Sequence, residues 1–124
     1  MKFRCERDSL VEALGAAGRA VANRGGALPV LAGVRAELVG DKLRLTGSDL
    51  ELTIEVEVAV AGERDGVAVL PSKIASDVVR SLGDPRVEVS VEADEAQITA
   101  GRFESSLRLL PADEFPRTSV APED

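Results

Sequence analysis

Lys73, Asp77 and Arg80 recur at i, i+4 and i+7, the spacing that lays three side chains in one row along a helix. Arg19 stands late in an earlier helical stretch, on the side opposite its apolar residues, and Arg24 follows in the loop Asn23-Arg-Gly-Gly26. Fixed cations can receive an anionic group such as a phosphate without catalysing anything. The bland reading of each is open too: Arg24 is either a solvated loop charge or a phosphate contact. The row on the second helix also reads as a solvated face, with Asp77 in reach of both bases at a gain of roughly a few tenths of a kcal/mol.

Reactive chemistry is scarce. The chain has no His and one Cys, which removes the commonest general base and any thiolate zinc site. Gly25-Gly26 follows a helix and lacks the Lys-Ser/Thr of a phosphate-cradling loop. Glu55 and Glu57 share a strand face, but nothing nearby would bury one and raise its pKa. Cys5 alternates with Phe3 in a strand and reads as a buried, inert thiol. No cluster of converging polar groups suggests a small-molecule pocket. The expectation is a non-catalytic protein without metal or cofactor.

These residues must be carried by one domain of 124 residues whose core is aliphatic, since aromatics make up only 2%. Residues 1–6 alternate as a half-buried strand. Ser9 and Glu12 have capping-box spacing, and a helix is expected to about Val21 with Leu10, Leu14, Ala17 and Val21 inward. Glu12 and Arg19 face outward, with Gly15 and Ala16 beside them. A meander of strands 31–39, 42–46 and 50–60 follows, turning at Gly40-Asp41 and Gly47-Ser48-Asp49. After a turn at 63–66 the pattern restarts: strand 67–70, a helix capped by Ser72 and closed by Gly83, and strands 86–91, 96–100 and 102–110. Ile74, Val78 and Leu82, broadened by Ala75 and Val79, form that helix's inward stripe.

The chain therefore reads as one unit written twice, strand-helix-strand-strand-strand, with a constant spacing of 53 pairing Asp41/Asp94, Leu45/Ile98, Leu50/Phe103, Ile54/Leu107 and Val56/Leu109. Net charge is −7, which taken whole argues against simple nucleic-acid binding. The distribution is uneven: residues 1–36 carry six bases against three acids, 71–86 three against two, and the remainder six against seventeen. Positive charge is expected to accompany the helices and negative charge the strands.

Met1-Lys-Phe with Glu6-Arg-Asp-x-Leu10, Leu28-Pro-Val-Leu31, Leu45-Thr-Gly-Ser-Asp-Leu-Glu51, Val69-Leu-Pro-x-Lys73 and Leu110-Pro-x-x-x-Phe-Pro116 together resemble the amino-terminal domain of the bacterial sliding clamp, the beta subunit of DNA polymerase III. The resemblance spans essentially the whole chain. It implies an α+β fold of the DNA clamp (processivity) type: two β-α-β-β-β repeats with two adjacent helices packed on antiparallel sheets. It also implies a ring of two subunits, head to tail, that encircles duplex DNA with helices inside and acidic sheets outside, and confers processivity on the replicative polymerase. By resemblance Arg24, Lys73 and Arg80 face DNA, Lys73 standing where relatives often have Arg; Arg19 is added from its place on the helix. The implied subunit contact takes in Ile74, Val78, Leu82, Arg102 and Leu107, although the first three read equally well as core. Polymerase and clamp loader would bind through domains not present here, and the site would hold no metal or cofactor.

Residues 1–112 are expected to form the clamp domain, with repeats at about 1–60 and 66–110, and 113–124 the start of an interdomain linker with the rest of the subunit absent. With no membrane-length apolar run or signal segment, a cytoplasmic location is expected. The rival reading is a stand-alone protein–protein assembly module of the same fold that works through its acidic sheet. Indifference of binding to loss of Lys73 and Arg80 would mark it.

Overall fold

The computed structural model describes residues 1–21, 32–49, 51–112 and 115. In order the elements are β1 (Lys2–Glu6), α1 (Arg7–Gly18), β2 (Gly33–Val39), β3 (Lys42–Ser48), β4 (Thr53–Ala59), β5 (Ala61–Arg64), β6 (Gly66–Pro71), α2 (Ser72–Ser81), β7 (Arg86–Glu92), β8 (Glu95–Ala100) and β9 (Phe103–Arg108). Two antiparallel sheets result, β5-β1-β7-β8-β9 and β4-β3-β2-β6. The fold is α+β, as expected, but each repeat lends its first strand to the other's sheet. β1 pairs with β7 from Lys2 opposite Ser90 to Glu6 opposite Arg86, and β6 pairs with β2 from Gly33 opposite Pro71 to Leu38 opposite Gly66. Neither half can complete its sheet alone.

Alternation fills the space between sheets and helices. Phe3, Val34, Leu38, Leu43, Leu45, Val87, Val89 and Ile98 point inward from the strands to meet Leu10, Leu14 and Ala17 of α1 and Ala75 and Val79 of α2. The helices run antiparallel: Ser72, at the start of α2, lies against Gly18 at the end of α1, and the Arg7 guanidinium at the start of α1 donates to the Leu82 carbonyl at 2.6 Å. A cation at the carboxyl end of a helix is well placed for its dipole.

Local chemistry departs from the expected caps. α1 starts two residues before Ser9, directly from β1; Glu6 is its N-cap without a side-chain bond, and the Arg7 N–H donates to the Pro85 carbonyl at 2.8 Å. The partner across the sheet satisfies a donor that a capping box would otherwise have served. α1 closes at Gly18, and Arg19, Ala20 and Val21 continue in a tighter turn with bonds to Ala16, Ala17 and Gly18. In α2 the N-cap is Pro71 and Ser72 is the first helical residue; the helix closes at Ser81 with Leu82 as C-cap, so Gly83 is not needed in a left-handed conformation. The expected turn at 63–66 overlaps β5, which pairs with β1 and is locked to the β2–β3 turn by Asp41 accepting from the Gly62 N–H and Asp65 from the Gly40 N–H. The segment Ala-Gly-Glu-Arg has no apolar alternation to reveal a strand.

Gly47 is no turn residue. It sits in β3 opposite Ile54, and a Cβ there would collide with the Ala17 carbonyl of α1. The turn lies beyond it, where Asp49 accepts from the Glu51 and Leu52 N–H groups at 2.9 and 2.7 Å; these bonds hold its carboxyl below the usual range. This longer hairpin breaks the constant spacing of 53. Leu45 and Ile98 are true counterparts, but the ladders place Val58 opposite Leu43 and Leu107 opposite Ala96, so Ile54 corresponds to Phe103 and not to Leu107.

Candidate nucleic-acid interface

The outward side of the helix pair follows from which side is buried. In α1, Leu10, Ala13, Leu14 and Ala17 are buried, leaving Asp8, Glu12, Gly15 and Arg19 as one exposed row. In α2 the inward stripe is Ala75, Val79 and Leu82, with Ser72; Lys73, Asp77 and Arg80 are exposed, as the spacing predicts. The expected stripe is rotated. Ile74 is 54% exposed and Val78 half-buried. Small side chains at Gly18, Ser72 and Ala75 let α2 come close to α1 and the sheet, which leaves the larger Ile74 outside.

The antiparallel arrangement puts Arg19 and Lys73 at the same end of the pair. Neither makes an ion pair within 4.0 Å among the described residues, so both charges are available to a ligand. Arg80 lies at the other end and is partly offset by Asp77 at 3.7 Å. Arg24 falls outside the described residues. Arg19, Lys73 and Arg80 are solvent-facing cations, suited to a polyanion's backbone and not to enclosing a small ligand.

The charge partition is weaker than the segment counts implied, because most bases lie on strands. Lys2 and Arg4, counted with the first helix, lie on β1, where Lys2 meets Glu88 at 3.4 Å and Arg4 meets Glu63 at 3.4 Å. Arg7 is taken by Asp8 and the Leu82 carbonyl. On the outer face of the other sheet, Arg44 stands between Glu55 and Glu57 at 3.9 and 3.4 Å. An open groove of about 710 Å³ runs along Arg4, Glu6, Ala59, Arg86 and Glu88, away from the helix row. Cys5, expected to be buried, is half-buried and lines this groove; desolvation, aided by the Glu6 charge, pushes its thiol up to about 11.

A second surface lies at the free edge of β9. Phe103 is 59% exposed there, and Ile74 is the exposed apolar residue of α2, the helix that borders this strand. Of the residues singled out for a subunit contact, Ile74 and Arg102 are exposed and Val78 is half-buried, whereas Leu82 and Leu107 are core residues at 3% and 6% exposure. Phe103, exposed on the same edge strand, is not among those residues. One of three Phe in the chain, placed directly after the Gly101-Arg102 turn on an edge strand, it carried a signal that the shifted repeat alignment hid.

Among the described residues no helix is long and apolar enough to cross a membrane. The family model for the DNA polymerase III beta subunit, N-terminal domain, matches residues 1–119. The chain is 33% identical over 123 residues to a beta sliding clamp of Streptomyces coelicolor, covering 99% of this chain and 32% of that protein. It is 31% identical over 122 residues to a beta sliding clamp homolog of Streptomyces muensis. Among solved structures, a Pseudomonas aeruginosa sliding clamp bound to griselimycin superimposes with a TM-score of 0.89 at 31% identity, covering 98% of this chain and 33% of that one. The chain thus spans about a third of the length of these relatives.

Proposed function

This chain belongs to the DNA polymerase III beta-subunit family through its N-terminal domain, and from that premise we propose that it is one segment of a ring that encircles duplex DNA and keeps the replicative polymerase on its template. The observation that carries this reading is the pairing of Arg19 with Lys73, unneutralised, at one end of an exposed antiparallel helix pair. Such a surface attracts phosphates through charge and reads no bases, as sliding requires. Nothing in the helix rows resembles a recognition surface: the side chains that face outward are few, mostly short or charged, and none is aromatic.

Residues 113–124 serve in this reading as the start of the linker to further domains. Phe115, buried at 5% against Val69, anchors its beginning. The free edge of β9, with Phe103 and Ile74, takes the second subunit head to tail, Arg102 flanking the contact and Val78 supporting it; Leu82 and Leu107 act from beneath as core. Arg80 and, by family position, Arg24 add to the DNA face. The polymerase and clamp loader dock on other domains, and the protein works in the cytoplasm without metal or cofactor. Family membership favours this reading over a stand-alone assembly module.

The test is topological. The subunit that carries this domain, loaded on nicked circular DNA, stays bound through gel filtration and is lost when the circle is linearised. Equal retention on linear and circular DNA would overturn the ring.

A further inference from the structure

β9 is the outer strand of its sheet, and two hydrogen bonds fix which of its backbone groups face the open edge. The Leu109 N–H donates to the Asp94 carbonyl at 2.8 Å, on the β8 side, and the Leu110 N–H donates to the Val69 carbonyl at 3.0 Å, on the other side. Backbone groups alternate in direction along an antiparallel strand, so Phe103, Ser105 and Leu107 turn theirs to β8. Those of Glu104, Ser106 and Arg108 turn to the edge. Side chains alternate as well: Leu107 is buried on the helix side, which sets Phe103 on that side and Glu104, Ser106 and Arg108 on the outer face.

Such an edge is a template for another strand unless charge or cover blunts it. Here the charges favour one particular strand. Glu104 and Arg108 are exposed, and neither makes an ion pair within 4.0 Å among the described residues. They stand at equal distances on either side of Ser106. When a second β9 lies antiparallel with Ser106 opposite Ser106, Glu104 of each copy faces Arg108 of the other, and the backbone groups that meet are those turned to the edge. Sliding one copy by two residues one way sets Arg102 against Arg108; sliding it the other way calls on the Leu110 N–H, which Val69 already holds. A slide of one residue opposes groups that face the edge to groups that face β8. The twofold axis stands perpendicular to the sheet, so both helix sides remain together, with Phe103 of one copy opposite Leu109 of the other and the exposed Ile74 on that same side.

We propose that β9 is a self-complementary docking edge: two copies of this chain pair antiparallel about Ser106, held by reciprocal Glu104 and Arg108 contacts. This goes beyond the ring reading and does not rest on it. In a head-to-tail ring the same edge meets a different strand, so the twofold pair is a competing state that seals the edge until ring closure displaces it.

The test is sedimentation equilibrium of the 124-residue chain from about 10 µM to 1 mM. A reversible dimer is expected. Glu104→Arg alone and Arg108→Glu alone should each weaken it about tenfold, since each turns two attractions into two repulsions. An equimolar mixture of the two variants should regain the parent's association, because every opposed pair is again acid against base, and so should the chain that carries both substitutions. A chain that stays monomeric throughout, a dimer indifferent to either reversal, or a mixture no tighter than its components would overturn the twofold pairing. None of these results touches the ring, which is read separately from retention of the whole subunit on circular DNA.

Discussion

The hairpin β3–β4 closes down on its helix, and its counterpart β8–β9 does not. In the first half Gly47 admits the Ala17 carbonyl, four residues separate Ser48 from Thr53, and Ile54 is half-buried where α1 lies along β3 and β4. In the second half Ala100 occupies the position of Gly47, a two-residue turn replaces the longer loop, and Phe103 stands exposed where Ile54 is covered. α2 touches β9 only lightly. One unit written twice has thus been given a closed flank and an open one, by a single glycine and a longer turn. What differs is the distance between helix and hairpin, and that distance decides which apolar side chains are left for a partner.

The sharpest way to break this comparison is to exchange the residues at its pivot. Gly47→Ala should cost about 3 kcal/mol, because the added methyl meets backbone and cannot be accommodated by a rotamer; Ala100→Gly should cost only about 1 kcal/mol through the added freedom of the unfolded chain. Urea unfolding of both variants checks this, and equal losses would mean that α1 can retreat as easily as α2. A smaller effect separates the two short turns. Gly40 has φ of 61° and its counterpart Ala93 has φ of 55°, a conformation costly for a side chain. Ala93→Gly should raise stability by about 0.5–1 kcal/mol, read as a higher urea midpoint at constant slope. Smallest of all in stability is Phe103→Ser, within about 0.5 kcal/mol of the parent because the ring is exposed. If the proposed ring closes through this edge, sedimentation of the subunit that carries Phe103→Ser should show loss of pairing.

The doubled plan, the hairpin turn at Gly40-Asp41, both helices and the outward row Lys73-Asp77-Arg80 were legible because each follows from local period or turn chemistry. The strand exchange was not. Alternation in residues 2–6 shows that β1 is half-buried, but nothing local says that Cys5 will lie opposite Val87. The rotation of α2 was missed because Ile74 and Val78 outrank Ala75 in apolarity, whereas close helix packing rewarded the smaller side chain. At the candidate site, charge counted by segment credited the helices with Lys2 and Arg4, which only the pairing with Glu88 and Glu63 assigns to a sheet.

The exchange of first strands also sets a schedule on the ribosome. β1 is made well before its long partner β7, which is complete only at Glu92. At roughly 5–20 residues per second the nascent chain waits about five to twenty seconds before that pairing can form. During that interval Phe3 and the β1 edges have only the short β5 to shelter them, and that strand itself arrives late. The domain's most vulnerable moment is therefore its synthesis, and the polar residues Lys2, Arg4 and Glu6, on the strand's outer face, keep the waiting segment soluble.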